Sequence, residues 1–309
     1  MNIAKIMRDI GTHDEAYFAP CFQLSLIKPN LNVKLQAMSK PVVHFCHGNS
    51  FPAGTYRQML EQLQPDYEIH VLEMHGHNPE YPVTTNWPFL VQELIDTLQK
   101  NYHEPVILLG HSLGGILSLM AASRRPDLVR CVLMIDSPVV TGWRSLFLKT
   151  FRALGLLEKY SPAQFSARRR MLWRDKQEAF EHFSSKEKFA IWPPEVLQDY
   201  IDAGMQTHPD GISLKFTREI ETAIYLSLPG NLGTIARHGL RVPIGFVGGS
   251  ESIECRQGGL EATRKMCGDY FVQLPAGHLL PMEMPEKTAQ ACHAMIQRLL
   301  AVSPSNIAE

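Results

Sequence analysis

A serine hydroxyl is a weak nucleophile at neutral pH unless a base takes its proton and the chain holds it clear of competing contacts. Ser112 stands where the second condition is met by local sequence. Gly110-His111-Ser112-Leu113-Gly114 reads G-x-S-x-G, with apolar Val106-Ile107-Leu108-Leu109 before it and a small-residue run from Gly114 to Ala122 after it. A strand ending and a helix beginning within so few residues predict a sharp turn with Ser112 at its apex. Glycine at 110 and 114 removes the side chains that would clash across that turn. The chemistry suited to such a serine is acyl transfer, because the helix N-terminus beneath it favours developing negative charge. The competing reading is a glycine-rich turn with a capping serine, and the flanking elements count against it.

The base must come from elsewhere in the chain. Pro275-Ala276-Gly277-His278 follows strand-like Tyr270 to Leu274, and a helical pattern runs from about Pro285 to Leu300. Where G-x-S-x-G supplies the nucleophile, the histidine partner comes last in the chain; His278 is the only histidine between those two late elements, so it is the expected base. His47-Gly48-Asn49-Ser50 follows strand-like Pro41 to Cys46. The backbone N–H groups of Asn49 and Leu113 are the expected oxyanion donors. His47 is expected to fix its own loop, His111 to point away from the reacting hydroxyl, and His75 and His77 to shape a neighbouring loop.

The elements that must position these groups alternate along the chain. Strand-like Pro41–Cys46, Ile69–Leu72, Val106–Leu109 and Val132–Ile135 are separated by helical patterns at Tyr56–Leu63, Trp87–Leu98 and Gly114–Ala122. Continuously apolar strands between amphipathic helices predict a parallel sheet covered on both faces. Cys21–Ile27 and Leu31–Gln36, around Lys28-Pro29-Asn30, suggest an antiparallel hairpin at one edge. The rhythm stops near Pro138 and resumes with Val242–Val247. The intervening stretch, 139–241, is helical, aromatic and basic in character. Its aromatics, Trp143, Phe147, Phe151, Trp173 and Trp192 among them, would line an apolar pocket or, more commonly, pack its helices together. Arg168-Arg169-Arg170 reads as a solvated helix face, with an anion-binding role as the alternative.

These motifs, in this order, resemble the α/β-hydrolase superfamily, in its capped, serine esterase-like branch related to haloalkane dehalogenases and epoxide hydrolases. Those two relatives use an aspartate nucleophile, so Ser112 argues against both activities. The resemblance implies an α/β-hydrolase fold with a mostly parallel central sheet. Its core would be 1–138 with 242–309, and 139–241 a helical cap. It also implies acyl transfer to water with no metal or organic cofactor. It places the acid that orients the histidine shortly after strand Val242–Val247, where the register falls on Ser252 and leaves Glu251 one residue short. Some relatives carry the acid at the preceding strand end, which is Asp136 here. Asp136 is the favoured candidate and Glu251 the alternative.

Bulk properties set the outer limits. A chain of 309 residues with 45% hydrophobic and 20% charged residues buries a full core. A formal net charge of −1 gives no reason to expect nucleic acid or an anionic membrane as main partner. The first residues do not read as a signal peptide, and no run suggests membrane insertion. Six cysteines without a C-x-x-C pair suggest neither zinc nor a disulfide framework, and a reducing cytoplasm is the expected setting. The expected function is carboxylic ester hydrolysis by a Ser-His-acid triad on a small or medium apolar acyl substrate, with a homodimer as one assembly open to the chain. A lactonase, thioesterase or C–C bond hydrolase with the same triad is the nearest alternative. A low-turnover ligand-binding protein on the same fold is the alternative of another class.

Overall fold

The computed structural model describes residues 40–238 and 240–302, so the expected hairpin at Cys21–Gln36 lies outside the described residues. Among the described residues six parallel strands form the central sheet: β1 (Val42–Cys46), β2 (Glu68–Val71), β3 (Val106–His111), β4 (Val129–Ile135), β8 (Ile244–Gly249) and β9 (Phe271–Leu274), in the order β2-β1-β3-β4-β8-β9. β3 and β8 are buried along their whole length, as parallel strands covered on both faces must be. Side chains alternate between two cores. Phe45, Leu109, Leu133 and Ile135 pack with helices α1 (Arg57–Leu63) and, from the chain's end, Pro285–Leu300. Cys46, Leu108, Val132 and Met134 pack on the other face with α2 (Pro88–Asn101) and α3 (Leu113–Arg124).

Topology brings the candidate residues to one end of this sheet. From β1 the chain moves out to β2 and returns to β3 on the other side of β1. The crevice at such a reversal, beyond the strand C-termini, is where open α/β sheets bind ligands. Cys46 lies opposite Gly110 and His111 opposite Ile135, so the residues that follow, 47–50, 112 and 136, emerge side by side. Ile135 lies opposite Val247 and Gly249 opposite Leu274, which adds 250–252 and 275–278 to the same rim.

The segment between β4 and β8 holds α4 (Gly142–Ala153), α5 (Leu157–Tyr160), α6 (Ala163–Ser166), α7 (Lys176–Ser184), α8 (Glu187–Ala190), α9 (Pro194–Gly204), α10 (Arg218–Leu226) and α11 (Leu232–His238). It is not wholly helical, which corrects the sequence expectation. β5 (Leu172–Trp173), β6 (Met205–His208) and β7 (Gly211–Leu214) form a small antiparallel sheet. The turn between β6 and β7 is Pro209-Asp210, followed by Gly211 at φ 137°, a Pro-Asp-Gly signal that overrides the helical tone around it. Among the contacts that fasten this segment to the core, two involve residues that follow β1. Phe51 packs on Phe189, Trp192 and Tyr200, and buried Asp199 accepts from Arg57 Nε at 2.7 Å and Gln58 Nε2 at 2.8 Å. After β8 come α12 (Ile253–Gly258), α13 (Glu261–Cys267), α14 (Leu280–Glu283) and α15 (Pro285–Leu300). No helix among the described residues is long and apolar enough to cross a membrane.

Candidate active site

Ser112 occupies the turn between β3 and α3 at φ 52° and ψ −112°, a region rarely tolerated without glycine and held here by its surroundings. A Cβ at Gly110 would strike the Gly114 carbonyl, and one at Gly114 would strike the Cys46 carbonyl. The two glycines are therefore what allow this turn to close against β1. Its consequence is a Ser112 Oγ that reaches His278 Nε2 at 3.0 Å.

His278 is in turn held by Asp136, whose Oδ1 lies 2.7 Å from Nδ1. Asp136 is fully buried and accepts three further bonds: Gly249 N–H at 2.6 Å, Ser252 Oγ at 2.7 Å and Cys255 Sγ at 3.2 Å. Burial pushes its carboxyl up, but the hydrogen bond and charge of His278, with the Gly249 and Ser252 donors, outweigh it and hold the pKa below the usual value. The side chain is thus a carboxylate able to fix the histidine tautomer and stabilise its charged form. Ser252, in the slot where the resemblance placed the acid, is the N-cap of α12, and its hydroxyl donates to Asp136. Glu251 is exposed, its N–H turned back to the Ala276 carbonyl, and it makes no hydrogen bond or ion pair with His278. The turn does not tighten by the one residue that Glu251 would require.

The loop after β1 is braced on both sides. His47 donates from Nδ1 to the Gly48 carbonyl at 2.8 Å and accepts the His75 N–H on Nε2 at 2.7 Å, so it fixes two loops and is no free base. Gly48 N–H donates to Tyr56 Oη at 2.9 Å, and that hydroxyl donates to His111 Nδ1 at 2.7 Å. His111 Nε2–H then donates to the His278 carbonyl at 3.0 Å. Burial, then the neighbouring charge of His278, lowers His111 to about 3, which keeps it neutral and able to bridge. This line ties the Asn49 loop, the turn at Ser112 and the His278 loop together, and nothing around Tyr56 in the sequence announces it. Glu283 completes the frame by accepting Gly277 N–H at 2.7 Å. Among the described residues, neither Asn49 N–H nor Leu113 N–H donates to another protein group.

Outside this frame, Arg169 departs from the solvated face expected for Arg168–Arg170. Its guanidinium reaches Glu221 at 2.7 Å and Tyr200 Oη at 2.6 Å, while Arg168 and Arg170 are exposed. The Glu221 carbonyl accepts Asn49 Nδ2 at 3.1 Å, so this ion pair steadies the loop that carries Asn49. Trp173 and Trp192 are buried, whereas Trp143 and Phe147 are exposed.

Glu93 gives a stability prediction. It is buried, with His75 Nδ1 3.9 Å away, and desolvation raises its pKa from 4.5 to about 7, against a bond from the Gly76 backbone. The folded state therefore binds more protons than the unfolded one between pH 4.5 and about 7, and stability falls as pH rises through that window. Glu93→Gln is expected to flatten this dependence. Urea unfolding should find the variant more stable than wild type at pH 7, by on the order of 1–3 kcal/mol, with the difference shrinking at pH 5.

A family model described as the alpha/beta hydrolase family matches residues 45–291. Monoglyceride lipase of Rattus norvegicus is 35% identical over 109 residues, 33% of this chain and 36% of that protein. Pimeloyl-[acyl-carrier protein] methyl ester esterase of Xylella fastidiosa is 26% identical over 98 residues, 32% of this chain and 37% of that protein. The matches to these curated relatives thus span 36% and 37% of their length. Among solved structures, E-2-(acetamidomethylene)succinate hydrolase superposes with a TM-score of 0.68 at 21% identity, covering 84% of this chain and 92% of that one. The thioesterase domain from the curacin biosynthetic pathway gives 0.64 at 18% identity, covering 83% and 91%. At these identities the structural likeness speaks for the fold alone.

Proposed function

We propose, since this chain belongs to the alpha/beta hydrolase family, that it is a serine hydrolase cleaving carboxylic esters through an acyl-enzyme. One observation carries the reading: Ser112 Oγ, the His278 ring and Asp136 form a continuous hydrogen-bonded line at 3.0 and 2.7 Å, ending in a buried carboxylate. His278 Nε2 takes the Ser112 proton as Oγ attacks the ester carbonyl. The Asn49 and Leu113 N–H groups receive the oxyanion, and His278 returns the proton to the departing alcohol. Water, activated by the same ring, then releases the acid and restores Ser112.

Residues 139–241 would act as a cap over this reaction. Phe51, two residues from Asn49, packs against that segment's Phe189, Trp192 and Tyr200. This packing anchors the segment beside the Asn49 loop, and the proposed substrate carries a small or medium apolar acyl group. The names of the lipase and the methyl ester esterase among the relatives favour an ester over a thioester, lactone or carbon–carbon bond. A panel of p-nitrophenyl esters of increasing acyl length, a matched acyl thioester and a lactone tests the choice. The highest kcat/KM is expected for an ester. A preference of about tenfold or more for the thioester or lactone, some 1.4 kcal/mol of transition-state binding, would overturn the substrate class.

A further inference from the structure

The net charge of −1 for the whole chain conceals a local imbalance. Between residues 142 and 168 the basic residues are Arg144, Lys149, Arg152, Lys159 and Arg168, and the one acidic residue is Glu158. The same stretch holds six of the exposed large apolar side chains: Trp143 at 68%, Leu146 at 65%, Phe147 at 51%, Leu154 at 64%, Tyr160 at 61% and Phe165 at 73% exposure. Exposed apolar residues scattered singly are ordinary, but a cluster is not. The cluster is continuous across two helices, since Phe147 meets Phe151 at 3.8 Å and Phe151 meets Tyr160 at 5.6 Å between ring centres. α4 is seated by its opposite side, where buried Ser145 donates to the Gly230 carbonyl at 2.6 Å.

Two of the cations are already engaged: Arg144 lies 3.6 Å from Glu261, and Arg152 donates to the Leu226 and Leu228 carbonyls. Lys149, Lys159 and Arg168 have no carboxylate within ion-pair distance among the described residues. Lys159 and Arg168 both line a groove of about 300 Å³ with Gly155, Glu158, Gln164 and Ala167. We propose that α4, α5 and α6 form a docking face for an anionic lipid surface, with the exposed aromatics entering the headgroup layer and Lys159 and Arg168 meeting lipid phosphates or carboxylates, while Lys149 packs over Gly230 on the seated side of α4. Aromatic and aliphatic side chains interleaved with Lys and Arg are what interfacial helices use. Other occupants fit the charge less well. A second copy would set the same basic face against itself in a two-fold dimer. Residues 1–39 carry Lys5, Arg8, Lys28 and Lys34 against Asp9, Asp14 and Glu15, so they bring no acidic excess.

Co-sedimentation of the full chain with phosphatidylcholine vesicles, with and without phosphatidylserine, tests the face. Binding is expected to require phosphatidylserine and to be lost at high salt. Lys159→Gln with Arg168→Gln should weaken it about fivefold for each charge removed. Trp143→Ser with Phe147→Ser should weaken it at least as much, while turnover of a soluble short ester stays unchanged. Binding that ignores phosphatidylserine, or that survives both pairs of substitutions, would overturn the proposal. So would a fall in soluble-ester kcat/KM in the Trp143/Phe147 pair, which would move that face into the substrate pocket. Concentration-dependent dimerisation abolished by the same pair would assign the face to a second copy instead.

Discussion

Ser112→Ala is expected to lower kcat for a p-nitrophenyl acyl ester by about 10⁴-fold to 10⁶-fold while leaving the far-ultraviolet circular dichroism and urea midpoint close to wild type. The size follows from the role: without Oγ no acyl-enzyme forms, and what remains is oxyanion stabilisation and binding alone. The intact fold follows from the environment. Among the described residues Ser112 Oγ is bonded only to His278, and alanine bears the positive φ no worse than serine does, because the turn is closed by Gly110 and Gly114. Loss of activity accompanied by unfolding, or activity within tenfold of wild type, would each count against Ser112 as nucleophile.

Asp136→Asn is expected to cost about 10³-fold to 10⁴-fold in kcat, and Glu251→Gln less than about twofold. Asp136 accepts from His278 Nδ1, Gly249 N–H, Ser252 Oγ and Cys255 Sγ. An amide has one oxygen and one donor nitrogen in place of two accepting oxygens. Whichever way the substituted amide turned, an N–H would face a group that also donates. If that group is His278, the ring flips its tautomer and Nε2 can no longer take the Ser112 proton. Glu251 is exposed and pairs with neither ring nitrogen, so its charge is screened by solvent. Steady-state kinetics of the two variants, with stability measured alongside, checks the pair. Equal losses in both, or a larger loss in Glu251→Gln, would contradict the assignment of the acid.

The features legible in the sequence were those encoded locally. G-x-S-x-G between an apolar strand and a small-residue helix announces its own turn, and the apolar runs at Val106, Val132 and Val242 announce a parallel sheet. Asp136 is a different case. Its pairing with His278 spans 142 residues and depends on where β4, β8 and β9 end relative to one another, which a one-residue count cannot resolve. Ser252 and Cys255 take their meaning from α12, which begins there and points donors at Asp136. The bridge from Gly48 through Tyr56 and His111 to the His278 carbonyl has no sequence signature, because each partner sits on a separate element. The small sheet β5–β7 was hidden by helical composition around it, although Pro209-Asp210-Gly211 carried the turn signal. Arg169 was obscured by its two exposed neighbours, since a run of like residues gives no hint that one of them turns inward.

The proposed reaction requires Ser112 Oγ, and no other oxygen, to attack the substrate. Treating the full-length protein with a fluorophosphonate and mapping the adduct by peptide mass spectrometry tests this most directly. A single stable phosphonyl group on Ser112, absent from Ser112→Ala and strongly slowed in His278→Ala, is the predicted result. An unlabelled Ser112 in folded protein, or an adduct on another side chain that persists in Ser112→Ala, would contradict it.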